Sequence, residues 1–270
     1  MKEKSFEKIK PKEEMMFDPE KEITEEEWGK MKDVLEKDRK EGKWQYFSIQ
    51  ARAMKILFPE RTKELNLNQD AWQGMENEAL EQLKSEFYRE HKGYFASYWA
   101  ADMKILFPEK TPKFMDEGSF QGTKDELERL RKEHRWRVFS GLAARMKILF
   151  PERVGEFGIS EDDWREMKRG FEYVRKTTKK EAFRREEYWE NPEKQVWHGD
   201  LTREAASMKI LFPERVGELN LDKAAWQRMR KELEQYRKWG QWDDFAPDAS
   251  RMKILAAKKV EVDKSGLKVE

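Results

Sequence analysis

The sequence contains no cysteine, and only three of its 270 residues are histidine. The absence of cysteine excludes disulfide bonds, thiolate metal ligands and cysteine nucleophiles. The three histidines, His91, His134 and His198, are never four residues apart, which excludes the helical zinc pattern H-E-x-x-H. A glycine-rich phosphate loop and a nucleophile elbow are also absent from the sequence. These absences predict a protein that is not an enzyme and uses no metal or cofactor.

Long apolar runs and an excess of charge of one sign are missing as well. No run approaches the roughly 20 apolar residues that cross a bilayer, and MKEKSFEKIKPKEEMMF has no signal-peptide core. We therefore expect a soluble, cytoplasmic protein that does not bind membranes. Because 56 basic residues face 55 acidic ones, no overall field favours nucleic acid. The 11 Trp and 16 Phe residues nevertheless exclude a disordered chain.

One short string is repeated along the chain. MKILFPE begins at Met54, Met103, Met146 and Met208, and a truncated copy, MKILAAK, begins at Met252. A large aromatic residue, which we call the aromatic landmark, follows the methionine of each complete copy after 17 or 18 residues. In three units the methionine of MKIL follows the landmark after 26 residues. The sequence therefore consists of five copies of a unit of about 44 residues.

Each unit reads as two helices. An N-cap residue stands four positions before the aromatic landmark in every unit: Thr24 before Trp28, Asn68 before Trp72, Asp116 before Phe120, Ser160 before Trp164, and Asp222 before Trp226. The second helix carries an apolar stripe at helical spacing and ends in MKIL, where the proline of FPE stops it. We expect the apolar ends of these helices to stack into one continuous core.

These patterns predict an all-α fold, a solenoid-like tandem array of five αα-hairpins in residues 23–257. The predicted repeats span 23–66, 67–114, 115–158, 159–220 and 221–257. Residues 1–22 are predicted to be a charged tail. Residues 258–270, in which apolar positions flank DKSG, are predicted to form a small β-hairpin-like cap that closes the last repeat.

The repeat length and the two helices per unit resemble the HEAT and armadillo class of α-solenoids. MKILFPE is also similar to strings in uncharacterised bacterial repeat proteins. The resemblance to the solenoid class implies a scaffold for protein partners, and it carries over no binding residues because the signature residues of those families are absent.

The lysine of the repeated string is not explained by core packing. Lys55, Lys104, Lys147, Lys209 and Lys253 occupy the same polar position in all five units. We interpret them as a product of recent duplication, with lysine–glutamate pairs between neighbouring units. The alternative is a row of cations that faces a partner.

The fourth unit is 18 residues longer than the regular ones and carries a basic segment. Nine basic and three acidic residues lie between Arg165 and Arg185, and aromatic residues follow. Because insertions in repeat arrays often project from the binding face, we predict that ten residues here bind a partner: Arg175, Lys176, Lys179, Lys180, Arg184, Arg185, Tyr188, Trp189, Trp197 and His198. Trp99 and Trp239 do not occupy landmark positions and are further candidates for contact with a partner.

The predicted function is that of a non-enzymatic helical-repeat scaffold that binds a macromolecule, with a protein partner favoured. One alternative is a nucleic-acid-binding protein that uses residues 165–198, where cations could neutralise phosphates and aromatic rings could stack on bases. Another alternative is a structural protein that assembles end to end. The sequence leaves the oligomeric state and the identity of the partner open.

Overall fold

The computed structural model describes residues 17–84, 92–181, 200–264 and 266–270. A single helical turn, α1 (Pro19–Glu22), precedes five helix pairs. The first helices of the pairs are α2 (Glu25–Lys40), α4 (Gln69–Lys84), α6 (Glu117–Lys132), α8 (Glu161–Glu181) and α10 (Lys223–Trp239). The second helices are α3 (Trp44–Leu57), α5 (Lys92–Leu106), α7 (Trp136–Leu149), α9 (Asp200–Leu211) and α11 (Trp242–Ala256). The predicted all-α array of five αα-hairpins is thereby confirmed.

The first helix of each pair begins at the predicted cap. The Thr24 hydroxyl accepts a hydrogen bond from the Glu27 N–H (3.2 Å), and the Glu27 carboxylate accepts one from the Thr24 N–H (2.8 Å), which completes a capping box. The other four caps accept from the first turn in the same way: Asn68, Asp116, Ser160 and Asp222. His134 ends α6 with a φ of 56°, the left-handed conformation that Gly42 and Gly240 adopt at the ends of α2 and α10.

The second helices pack side by side into a closed ring, in the order α3, α5, α7, α9, α11 and back to α3. The first helices form an outer layer, in which α4 lies between α3 and α5, α6 between α5 and α7, α8 between α7 and α9, and α2 between α11 and α3. In the pairs whose connection the structure describes, α2–α3, α6–α7 and α10–α11, a tight turn joins the outer helix to the inner one. Hydrogen bonds between the C-terminal ends of neighbouring inner helices place all five inner helices in the same direction. We call the end of the ring where they begin the open face, and the end where they finish the motif face.

Direct contacts between the first and last units close the ring. The Gln50 side-chain amide donates to the carbonyl oxygen of Trp242 (3.1 Å), and the Arg237 guanidinium binds the Glu27 carboxylate and the backbone carbonyl of Glu22. Phe17 is buried, so residues 17–22, which the sequence assigned to the tail, belong to the folded ring. Residues 1–16 lie outside the described residues.

The phenylalanine of FPE packs against the aromatic landmark of its own unit. Phe58 meets Trp28 edge to face with ring centroids 5.2 Å apart, and Phe212 meets Trp164 at 5.0 Å. In three of the four complete copies the proline then begins a 3₁₀-helical segment: Pro59–Leu65, Pro151–Phe157 and Pro213–Leu219. The string thus ends one helix, and its aromatic ring joins that helix to the outer layer.

The hairpin at the C-terminus lies across the motif face. Strands β1 (Val260–Asp263) and β2 (Gly266–Val269) are antiparallel, with Val260 opposite Val269. The hairpin packs against α5, α7 and α9. The predicted hairpin cap is confirmed, but it covers one end of the ring formed by several repeats, because the last repeat is already covered by the first.

Candidate functional site

The repeated lysines join neighbouring inner helices. The Nζ atom of Lys55 donates to the carbonyl oxygen of Leu106 (3.1 Å), and Lys147 donates to that of Leu211 (2.9 Å). The same relation holds for Lys209 with Leu255 (2.8 Å) and for Lys253 with Leu57 (2.7 Å). Each acceptor is the leucine of the next copy of MKIL. The lysine of one copy therefore recognises the backbone of another copy around the ring.

The fifth lysine is the exception. Lys104 donates to the carbonyl oxygen of Pro108 in its own unit (2.5 Å), so it does not reach α7. The hairpin packs against α5 and α7 at this same end of the ring. The missing lysine link therefore lies where the hairpin joins these two helices.

The lysine arrangement corrects both kinds of contact expected from the sequence, the lysine–glutamate pairs and the row of cations facing a partner, while recent duplication stays a prediction. In the part of the chain that the structure describes, Lys55, Lys147, Lys209 and Lys253 form no ion pair with glutamate, and their ammonium groups do not face a partner. Burial lowers the pKa of Lys55, Lys147 and Lys253, and it lowers the pKa of Lys209 to about 8. A cation beside the last carbonyls of a helix also complements the helix dipole. The lysines are structural.

The open face carries features that the packing of the ring does not require, and the first of these is the extra length of helix α8. Helix α8 has 21 residues, five more than the 16 of α2, and therefore extends about 7 Å further. Its C-terminal end lies toward the open face because the outer helices run opposite to the inner ones. The extension leads into residues 182–199, which lie outside the described residues. The structure thus places the base of the predicted partner-binding insertion on the open face.

Of the ten predicted partner-binding residues, Arg175 is the one whose side chain is described. Its Nη1 atom donates to the carbonyl oxygen of Asn220 (2.8 Å), so this guanidinium helps to hold α8 against the next unit. The backbone of α8 includes Lys176, Lys179 and Lys180, but their side chains lie outside the described residues. The remaining six, Arg184, Arg185, Tyr188, Trp189, Trp197 and His198, lie outside them entirely.

The described part of the basic segment is paired with acidic residues. Arg165 binds Asp162 (2.8 Å), and Lys168 lies 3.4 Å from the Glu218 carboxylate. Arg169 pairs with Glu166 one turn earlier. These three cations therefore do not form an unbalanced positive patch.

Among the residues that the structure describes, three large aromatic side chains are exposed. Tyr46 is 59% exposed, Tyr173 66% and Trp239 58%. Tyr46 lies in the first turn of α3 and Trp239 at the end of α10, so both are at the open face. Tyr173 lies on α8, the helix whose extension reaches that face. Trp99, the other off-landmark candidate, is 2% exposed and belongs to the core, so that prediction was wrong.

A comparison of the repeats could have found one of these residues. Tyr173 stands nine residues after the aromatic landmark, where the other four units have polar residues: Lys37, Glu81, Arg129 and Gln235. An aromatic residue at a position that is polar in the other units is not needed by the core, and this difference is the signal in the sequence. Tyr46 gives no such signal, because the equivalent Phe95 and Val138 are apolar and pack against the core.

Metal and membrane sites are not indicated in the described ranges. No three histidine, aspartate or glutamate side chains there are grouped so that they could hold a metal ion, and no described helix is both long and apolar enough to span a bilayer. No family model, curated protein or solved structure matches this chain. The resemblance to the HEAT and armadillo class therefore stays a prediction.

Proposed function

We propose that the protein is a non-catalytic scaffold that binds a protein partner through its open face and acts in the cytoplasm. The observation that carries this proposal is the exposure of three aromatic side chains, Tyr46, Tyr173 and Trp239, whereas most other large apolar side chains in the described part of the chain are buried. Tyrosine and tryptophan are the residues that most often dominate the binding energy of protein interfaces.

The closed ring supports a binding role because Tyr46, Tyr173 and Trp239 all lie on helices of one packed structure. Tyr46, on α3, and Trp239, on α10, belong to the units that close the ring through the Gln50–Trp242 contact. A surface built on packed helices loses little conformational entropy when a partner binds. The extension of α8 brings the basic and aromatic insertion to the same end, so one partner could contact both.

The alternatives have less support. Nucleic-acid binding needs a surplus of cations, whereas Arg165, Lys168 and Arg169 are neutralised by acidic neighbours. End-to-end assembly needs free terminal repeats, whereas the first and last units pack against each other. A protein partner is therefore the proposal that we retain.

The test compares the full chain with a variant that carries Tyr46→Ser, Tyr173→Ser and Trp239→Ser. The immobilised proteins are exposed to extract with and without nuclease treatment, and the retained proteins are quantified. The matched control carries Glu60→Ser, Glu261→Ser and Lys264→Ser, three exposed polar positions toward the motif face. We expect a protein that the parent chain and the control retain and that the aromatic variant loses. Equal retention by all three chains would contradict the proposal, and binding that requires intact nucleic acid would favour the first alternative.

A further inference from the structure

The five junctions between neighbouring units can be compared with one another, because each brings together copies of the same string. At four junctions the lysine of one MKIL string binds the leucine carbonyl of the next, as Lys253 does with Leu57. The junction between the second and third units, which we call the seam, lacks this contact. Its lysine, Lys104, binds the carbonyl oxygen of Pro108 in its own unit. The C-terminal end of α5 is therefore not tied to α7 as the other inner helices are tied to their neighbours.

The seam also lacks a repeated contact of the outer layer. In four units the residue eleven positions after the aromatic landmark is an arginine that donates to a backbone carbonyl just before the next outer helix: Arg39 to Asn66, Arg131 to Gly158, Arg175 to Asn220 and Arg237 to Glu22. The second unit has Leu83 at this position. Two separate links that hold the other four junctions are thus missing from the same junction.

Other contacts hold the rest of the seam. In the outer layer, the buried Glu76 carboxylate of α4 accepts a hydrogen bond from the Lys113 N–H (3.0 Å). Between the inner helices, the Arg145 guanidinium of α7 lies 4.1 Å from the centre of the Tyr98 ring of α5. Tyr98 stands five residues before Met103, which places this contact about 7 Å further from the motif face. The ends of α5 and α7 at the motif face are left without a repeated link.

The C-terminal hairpin crosses the seam at these ends. Its base is fixed on α9, where the Nζ atom of Lys209 donates to the carbonyl oxygen of Ala257 (2.5 Å), three residues before β1. Strand β1 packs against α7 and α9, and β2 packs against α5 and α7. At the tip, a Cβ atom added to Gly266 would lie 3.7 Å from the Lys104 carbonyl oxygen. The tip of the hairpin therefore rests on the end of α5 that has no lysine link.

The contact of the tip depends on a special backbone conformation and on few side chains. Gly266 is buried and has a φ of 100°, which residues with a side chain rarely adopt. The following Leu267 and Val269 pack against the core, whereas Lys268 is exposed on the other side of the strand. A strand of four residues buries few apolar groups, so we expect it to detach more easily than a helix of the ring.

We propose that the hairpin holds the seam closed in place of the missing lysine link, and that its release frees the motif-face ends of α5 and α7 while the other four junctions stay closed. The lysines of those junctions belong to the inner helices themselves, so their links last as long as the helices stay packed. The hairpin lies outside the repeats and can detach while every repeat remains folded. The proposal does not rest on a protein partner at the open face.

The test is amide hydrogen exchange of the full chain and of Gly266→Val. A β-branched residue with a positive φ is strained, so the substitution should detach the tip. Three equivalent amides at the ends of inner helices are the reporters, since each donates to the methionine carbonyl of its own string: Phe58, Phe107 and Phe150. We expect exchange at Phe107 and Phe150 to become at least about tenfold faster, because strain of this kind shifts a local opening by that much. Exchange at Phe58, away from the seam, should not change.

Two further variants separate release of the hairpin from a general loss of stability. Leu267→Ala weakens the same contact without backbone strain and should give the same pattern with a smaller effect. The matched control is Lys268→Val, which places the same side chain on the exposed side of β2 and should exchange as the parent chain does. The amides of Lys259 and Glu270, each bound to the other's carbonyl oxygen (3.0 Å), report on the hairpin itself.

Three results would overturn the proposal. Equal acceleration at Phe58, Phe107 and Phe150 would show that the hairpin stabilises the ring as a whole. Faster exchange in the hairpin with unchanged exchange at Phe107 and Phe150 would show that the seam closes without it. Unchanged exchange at every reporter in both Gly266→Val and Leu267→Ala would show that the contact of the tip with α5 does not hold the hairpin in place.

Discussion

The Nζ atom of Lys253 donates a hydrogen bond to the carbonyl oxygen of Leu57, 2.7 Å away, and joins the last inner helix to the first. The two residues are 196 positions apart in the chain. They belong to two copies of the same string, and the contact repeats the relation between Lys55 and Leu106. The closing contact is thus made with the same chemistry as the contacts between consecutive units.

Replacing Lys253 with methionine should loosen the closure of the ring. The change leaves the Leu57 carbonyl without its donor, and an unpaired buried carbonyl costs about 1–2 kcal/mol. We expect lower stability to urea and faster amide hydrogen exchange at the facing ends of α3 and α11. Lys104→Met is the control because Lys104 binds within its own unit. Equal exchange in α3 and α11 of both variants would show that Lys253 does not hold the ring closed.

Stability should rise with pH because of Lys209. The folded state lowers the pKa of this lysine from 10.5 to about 8. Between these values the unfolded chain binds more protons than the folded chain, so the free energy of unfolding increases with pH. Below about pH 8 both states are protonated, and the penalty for burying the charge is fully present.

The measurement is urea unfolding at several pH values between about 7 and 10, compared with Lys209→Met. The parent chain should gain up to about 2 kcal/mol relative to the variant over this range. If the free energy of unfolding depends on pH in the same way in the parent chain and in Lys209→Met, the hydrogen bonds to Leu255 and Ala257 stabilise the ammonium form as well as water does.

Two equivalent tryptophans should respond differently to replacement by phenylalanine. The Nε1 atom of Trp164 donates to Glu218 (3.1 Å). In Trp226 the same atom is buried and has no partner among the described residues, because the last unit has Val262 at the position of Glu218, ten residues after the methionine of MKIL. Trp164→Phe should therefore lower the free energy of unfolding by about 1 kcal/mol more than Trp226→Phe, as measured by urea titration. Equal losses would show that the hydrogen bond to Glu218 contributes nothing net.

Gly74 should not tolerate a side chain. A Cβ atom at Gly74 would lie 2.2 Å from the Trp44 ring, so the tryptophan would have to leave its site on α4. We expect Gly74→Ala to destabilise the protein by about 1–3 kcal/mol, the usual effect of overpacking. Gly122→Ala on α6 is the matched control, since a Cβ there meets nothing within 4 Å and alanine favours the helix by up to about 1 kcal/mol. Thermal unfolding of both variants distinguishes steric conflict from helix propensity.

Local chemistry made the helices predictable from the sequence. The caps at Thr24 and Ser160, the left-handed end at His134 and the stop at Pro59 each depend on a few neighbouring residues. The buried methionines and the landmark aromatics follow from helical periodicity. Tyr173 could also have been found, by comparing the units position by position.

The roles of the charged residues in the ring could not be predicted in this way. Lys209 and Arg145 are both basic residues on inner helices, yet Lys209 binds the carbonyl end of a neighbouring helix and Arg145 lies over the Tyr98 ring. Their partners come from other units, so the spacing within one unit does not identify them. The insertion is visible in the sequence because its composition differs, whereas the ion pair of Arg52 and Asp102 joins single residues on separate helices.

The sequence by itself determined five αα-hairpins, their boundaries and the apolar string that ends each inner helix, because these depend on short-range hydrogen bonds and periodicity. The closure of the ring was decided by the tertiary structure alone. It depends on the sum of small packing angles between successive units, and no single residue encodes that sum. Only when α11 meets α3 do Lys253 and Leu57 become hydrogen-bond partners, and only then does the Gln50 amide reach the carbonyl oxygen of Trp242.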